Sequence, residues 1–181
     1  FHARPPVGLP EEEAAWSIQE QGAAALAEAG LEQYEVSAWA RPGHRCRHNL
    51  NYWQFGDYLA VGAGAHGKIT GADAVLRYRK PANPAQYMQT MESGADAAPP
   101  EFPTEAELVF EFMLNALRLV EGFPESLFEE RTGLEAGALR ESAGEALEKA
   151  LIERLPEGLW RPTALGMRFL NDLQAEFLPV A

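Results

Sequence analysis

The sequence predicts an α/β fold over roughly the first eighty residues and a mostly helical, winged-helix-like domain over the last eighty. Three observations carry this. A helix-periodic run at residues 10–30 feeds a β-rich run at residues 34–39, the order of a β/α unit. A small, polar, proline-rich stretch at residues 93–100 then breaks the chain. Beyond it, apolar side chains recur at helical spacing to the end, interrupted by one tight-turn sequence at residues 155–160. The predicted domains are residues 1–80, a connector at 81–103, and residues 104–181.

The elements follow in order. Pro10 with Glu11, Glu12 and Glu13 starts a helix, because proline suits the first turn and acids suit the positive end of the helix dipole. Ile18, Gly22, Ala25, Leu26 and Ala29 continue it, and Gly30 closes it. Residues 34–39 and 57–61 read as short strands, expected to be parallel. Ligand groups in such sheets gather at the carboxyl ends of strands, here Trp39 and Ala40 and then residues 62–66. Residues 69–79, broken by Gly71-Ala72-Asp73, read as a hairpin, and residues 84–92 as a short helix. Thr104 and Glu107 form a capping box ahead of Phe110, Met113, Leu114, Leu117 and Val120. Further helices are expected from Pro124 to Gly133, over residues 134–151, and on the stripe Leu165, Phe169, Leu173 and Phe177.

Charge is unevenly placed. The chain carries −12 in all. Residues 41–80 hold seven basic side chains against two acidic ones, a net of +5, so the remaining 141 residues sum to −17. A basic island in an acidic protein attracts carboxylates or phosphates. Arg41, Arg45 and Arg47 are its candidates for bidentate carboxylate pairing, or they are simply solvated. Residues 101–181 carry sixteen acids and seven bases, a net of −9. A winged helix of that sign repels a phosphate backbone, so nucleic acid is not the expected partner.

Two motifs concentrate the chemistry. His48-Asn49-Leu50-Asn51-Tyr52-Trp53 packs an imidazole, two carboxamides and two large aromatics into six residues. Gly62-Ala63-Gly64-Ala65-His66-Gly67 adds bare backbone and a second imidazole at an expected strand exit. Together they suit a large, flat, partly anionic ligand near a metal or a nucleotide. Imidazole can ligate a metal, which makes His48 the first candidate. Tyr52 and Trp53 can stack on such a ligand, yet they equally suit a core. Asn49 and Asn51 are expected to fix a loop through backbone hydrogen bonds. His66 reads as a site contact or as a satisfied structural histidine. Gly62 and Gly64 either admit a ligand close to the backbone or only permit a positive φ. His2 and His44 read as surface residues, and Cys46 as a spectator with a lesser role as ligand.

The runs Tyr34-Glu35-Val36-Ser37-Ala38-Trp39-Ala40-Arg41-Pro42-Gly43, Cys46-Arg47-His48-Asn49-Leu50-Asn51-Tyr52-Trp53, Gly56-Asp57-Tyr58-Leu59 and Gly62-Ala63-Gly64-Ala65-His66-Gly67 together resemble the oxygen-independent coproporphyrinogen III oxidase-like family of radical SAM proteins. Phe1-His2-Ala3-Arg4-Pro5-Pro6 and Thr163-Ala164-Leu165-Gly166-Met167-Arg168-Phe169-Leu170-Asn171 fit the same family. The His-Asn-x-x-Tyr-Trp pattern resembles its haem-chaperone branch. The resemblance implies the last β/α units of an incomplete barrel, followed by the helical domain. It implies haem bound by His48, Asn49, Tyr52 and Trp53, with His48 on the iron and Arg41, Arg45 and Arg47 on the propionates. It also implies S-adenosylmethionine beside Ala40, Gly62, Gly64 and His66, and delivery of haem to an acceptor protein, including a membrane-associated one. The alternatives are oxidative decarboxylation of coproporphyrinogen III, or an interaction module without ligand.

The family's Cys-x-x-x-Cys-x-x-Cys motif, which holds a [4Fe–4S] cluster, is not in this chain, whose single cysteine is Cys46. The chain starts at Phe1, and the resemblance marks it as the C-terminal part of a longer protein. The cluster and S-adenosylmethionine are therefore expected only in the longer protein, and no catalytic residue is assigned here. One cysteine, no signal-peptide pattern and no apolar run near ~18 residues lead to the expectation of a soluble, cytoplasmic protein. Open sheet edges lead to the expectation of a homodimer.

Overall fold

The computed structural model describes residues 6–94 and 99–179. It divides into two compact units, residues 1–45 and 46–181, each taken by itself.

In the first unit, α1 spans Glu12–Glu28, with Glu12 and Glu13 in its first turn. The Ala29 N–H reaches Ala25 O at 3.1 Å, and Gly30 follows at φ +77°. The helix buries no side chain, and Ile18 is 62% exposed. The single strand expected at residues 34–39 is instead a hairpin. β1 (Glu32–Glu35) pairs antiparallel with β2 (Ala38–Ala40), Glu32 opposite Ala40. The reversal has a local cause. Gln33 Nε2 donates to Val36 O at 3.1 Å, and the Ser37 hydroxyl donates to Glu35 Oε1 at 3.0 Å. Such bonds offer the backbone a turn in place of a ladder.

The second unit opens with α2 (Arg47–Trp53), where the sequence suggested a loop. β3 (His66–Thr70) and β4 (Val75–Arg79) form the expected hairpin, closed by Gly71 N–H to Ala74 O at 2.9 Å. Residues 57–61 form no strand; Tyr58 makes one antiparallel bridge to Lys68. Every strand pair among the described residues is antiparallel, which corrects the expected parallel sheet. A parallel pair needs a crossover of a dozen or more residues. Here one candidate strand folds back on itself, and the other runs into Gly62 and Gly64 at positive φ. α3 (Pro84–Ser93) is capped by Asn83, whose carboxamide accepts from Ala85 N–H at 2.9 Å. Of the proposed linker, residues 95–98 lie outside the described residues.

α4 (Glu105–Ala116) carries the predicted capping box and buries Leu108, Val109, Phe112, Met113 and Ala116. β5 (Phe123–Pro124) leads into α5 (Glu125–Thr132), which Gly133 ends at φ +75°. The helix expected over residues 134–151 is two: α6 (Ala136–Ser142) and α7 (Gly144–Glu148), separated at Ala143. β6 (Ile152–Arg154) and β7 (Leu159–Pro162) make the hairpin expected around residues 155–160, and β5 completes a sheet ordered β5-β7-β6. The last predicted helix also divides, into α8 (Ala164–Arg168) and α9 (Leu170–Ala175), at Phe169 with ψ 47°. Leu173 and Phe177 are buried, but Leu165 and Phe169 stay exposed, so the apolar period is lost at the break.

Phe112 centres the core of this unit. It meets Phe55, Phe123 and Phe128 edge-on, at 5.7, 5.0 and 5.2 Å between ring centroids. Such geometry adds to plain burial. Glu125 is a second nexus. It accepts from Arg140 (2.9 and 2.7 Å), Arg154 (2.7 and 3.2 Å) and Trp160 Nε1 (3.0 Å), tying α5 to α6 and the hairpin. These bonds, Arg140 first, hold its carboxyl far below the usual glutamate range.

Candidate functional site

On α2, His48 and Tyr52 lie one turn apart and so share a face. The exposed His48 ring meets Tyr52 edge-on at 4.9 Å and 71°. Tyr52 in turn lies against Tyr58 at 4.8 Å and 36°. Tyr58 is held at both ends. Its backbone exchanges two 3.0 Å hydrogen bonds with Lys68, and its hydroxyl oxygen accepts from Arg77 Nη1 at 2.8 Å. Arg77 pairs with Glu111 of α4 and lies 5.4 Å from the Phe55 ring centre.

The end of α2 is fixed from beneath. Asn51 Nδ2 donates to Asp57 O at 3.0 Å, the backbone-fixing role expected of it. Gly56 is pressed against Asn51, where a Cβ would come within 2.2 Å of the carboxamide oxygen. Lys68 is buried, at 1% exposure, and donates to Phe55 O (2.8 Å), Asp57 Oδ1 (3.1 Å) and Thr70 Oγ1 (2.8 Å). Burial pushes its amine down, against the pull of Asp57. Burial alone would raise Asp57, but hydrogen bonds from Thr70 and Lys68 outweigh it and keep the carboxylate below its ordinary value.

Trp53 also meets a cation. Its ring carries the Arg118 guanidinium at 4.2 Å, so it joins α2 to the segment after α4. Gly62 (φ +98°) and Gly64 (φ +73°) are needed for their backbone conformation, and Gly62 faces open space. His66 is exposed and opens β3, so the glycine-rich motif enters a strand where a strand exit was expected.

Two clefts meet at His66. One, of about 340 Å³, lies among Tyr58, His66, Arg77, Arg79, Glu111 and Asn115. The other, of about 480 Å³, includes Gly64, His66, Arg79, Lys80 and Gln86, with no carboxylate on its walls. Of the basic island, Lys68 and Arg77 are thus taken up internally, while Arg79 and Lys80 face a cleft. Arg47 and Cys46 are exposed at the start of α2, and Asn49 is half-buried. Ala40, Arg41 and Arg45 belong to the first unit: Ala40 ends β2, Arg41 is exposed and Arg45 half-buried. No three His, Cys, Asp or Glu side chains among the described residues form a metal-binding group.

Sequence reasoning missed Tyr58, Arg77, Glu111 and Arg118 as neighbours of the motif. Arg77 was visible as a charge, but nothing in the sequence pairs it with Glu111, thirty-four residues on. Chemically, the arrangement offers one exposed imidazole on a short helix, backed by Tyr52 and then by Tyr58, which stands on the wall of a cleft that holds Arg77, Arg79 and Glu111. It can supply one axial donor to a metal already held in a planar ligand, with cations for that ligand's acids.

Residues 104–169 match the model of the HemN C-terminal domain family. The solved structure titled "Coproporphyrinogen III oxidase (HemN) from Escherichia coli is a Radical SAM enzyme" aligns with TM-score 0.62 over 96% of this chain and 43% of that one. At 16% identity, that likeness shows the fold alone. The C-terminal domain of this chain thus belongs to the HemN C-terminal domain family. Its sequence is 42% identical over 181 residues to the heme chaperone HemW of Escherichia coli, covering 98% of this chain and 46% of that protein. It is 40% identical over 179 residues to HemW of Haemophilus influenzae, covering 98% and 45%. These relatives are named heme chaperones, and the chain spans a little under half of their length.

Proposed function

We propose that this chain is the haem-presenting part of a haem chaperone, with His48 as an axial donor to the iron. The supporting observation is the exposed His48 imidazole, held edge-on by Tyr52 on α2, with Tyr52 in turn against Tyr58 on the wall of a cleft that carries Arg79. Tyr52 and Asn49 border the ligand; Trp53 acts from behind as a packing residue. In this unit Arg47, Arg79 and Lys80 are the candidates for propionates; Arg41 and Arg45, which belong to the first unit, are candidates from the sequence alone. S-adenosylmethionine, beside Ala40, Gly62, Gly64 and His66, and a [4Fe–4S] cluster belong in this reading to the longer protein, which works in the cytoplasm. There it passes haem to an acceptor protein, soluble or membrane-associated, and it self-associates. The acidic C-terminal domain, with its β6–β7 hairpin, serves as a winged-helix-like cover without nucleic acid. No helix among the described residues is long and apolar enough to cross a membrane.

The decarboxylating oxidase is the second reading, favoured by fold likeness to HemN. Identity of 42% to a chaperone against 16% to that oxidase supports the first. The test is a haemin titration followed by absorbance on the full chain and on His48→Ala. A saturable Soret band that shifts or vanishes in the variant supports the proposal. An identical band in both removes His48 from the iron.

A further inference from the structure

The haem reading assigns His48 a ligand role but does not say what holds its ring. An exposed imidazole on a helix samples several rotamers, and fixing one has an entropic cost. Useful ligand geometry therefore depends on neighbours whose own rotamers are locked. The structure contains one contiguous support. Tyr52 flanks the His48 ring at 4.9 Å, and Tyr58 flanks Tyr52 at 4.8 Å. Tyr58 receives the 2.8 Å bond from Arg77, and Arg77 is clamped three ways. Its second guanidinium nitrogen pairs with Glu111, its backbone exchanges 2.9 and 2.8 Å hydrogen bonds with Glu101, and its guanidinium faces Phe55. Arg77 and Glu111 are 21% and 31% exposed at the side chain, so water screens this pair less than one on the open surface.

We infer that Tyr58, Arg77 and Glu111 are positioning residues for His48, orienting its imidazole through Tyr52 and anchoring it to the C-terminal domain. This rests on the haem reading. Glu111 lies inside the matched C-terminal domain and Arg77 outside it on β4, so the ion pair joins that domain to β4, which reaches the His48-bearing helix through Tyr58 and Tyr52. It gives the C-terminal domain a task beyond covering: it sets the presentation angle of the ligand. Arg77 is consequently not a propionate partner, because both of its terminal nitrogens are already engaged.

The test uses the full chain, with haemin as probe and two readouts. The first needs no haemin. The ring-current shift of the His48 imidazole protons, measured by NMR, reports its seat against Tyr52. Tyr52→Leu sets the value for a released ring. Tyr58→Phe and Arg77→Gln should move the shift part of the way toward that value, with the circular dichroism unchanged, and Arg77→Lys should restore much of it. In the second readout the same two variants should bind haemin about tenfold more weakly, with a reduced low-spin fraction, the size expected for loss of an outer-shell partner. If both variants fold and keep the wild-type His48 resonances and haemin spectrum, the positioning role is overturned while the haem reading stands. If His48→Ala binds haemin as wild type does, the haem reading fails, and with it the purpose of the support, even where the resonances move. Should Arg77→Gln fail to fold, Tyr58→Phe, which removes a single oxygen atom, decides alone.

Discussion

The segment from α2 to α3 and the C-terminal domain use charge in opposite ways. In the C-terminal domain one anion, Glu125, gathers Arg140, Arg154 and Trp160, while Lys149 joins Glu176 and Arg161 joins Glu153. Most of that domain's cations are engaged in this way, and its excess charge is acidic. In the α2–α3 segment one cation, Lys68, gathers Phe55, Asp57 and Thr70, while Arg47 and His48 stay exposed and Arg79 reaches Glu101 only at 4.0 Å on the open surface. Buried charges survive only when fully satisfied, so such hubs mark architecture, and the charges left outside mark what a ligand can use. In the proposed function, site and scaffold are thereby separated within one unit: ligand chemistry falls to the α2–α3 segment, and the acidic domain holds it steady.

The comparison breaks first at Phe112, which touches Phe55 on one side and Phe123 and Phe128 on the other. Phe112→Ala should cost about 4 kcal/mol in chemical denaturation and loosen both regions in one transition. Two separate transitions would show that the regions are independent. Lys68→Met keeps the volume but leaves the Phe55 carbonyl without its donor, at about 3 kcal/mol. The loss should fray α2 in hydrogen exchange and spare α5.

Glu125→Gln should remove about 2 kcal/mol, since its arginine partners are partly exposed. It should also flatten the acid limb of the stability profile. The carboxyl is depressed in the folded chain below its ordinary 4.5, so the folded state binds fewer protons than the unfolded one. Its contribution is complete above that value and declines progressively as pH falls below it. A variant with the wild-type acid limb would count against this hub. Thr104→Ala, which removes the cap of α4, should cost about 1 kcal/mol. Last, His48→Ala should leave stability within about 0.5 kcal/mol, as for an exposed residue outside any hub. A large loss there would make His48 part of the scaffold.

Local features were legible in the sequence where their cause is local. The Thr104–Glu107 capping box, the Gly133 stop, the hairpin around Gly71-Ala72-Asp73 and the Asn51 backbone bond each depend on a few neighbouring residues. Helix interruptions were not legible, because neither Ala143 nor Phe169 is a helix-breaking residue. The β-rich run at residues 34–39 was read as one strand since β propensity says nothing about reversal, which side-chain bonds at Gln33 and Ser37 decided.

By itself the sequence determined the family, the capped helices, the basic island in an acidic chain and the presence of the His48 motif. Family motifs, caps and charge are written in residue order, so no fold is needed to see them. Only the tertiary structure decided that Trp53 supports Arg118, that Lys68 and Arg77 are unavailable to a ligand, and that Tyr58, Arg77 and Glu111 stand behind His48. Those assignments depend on which distant side chain reaches a charge or a ring first, and that is settled by packing.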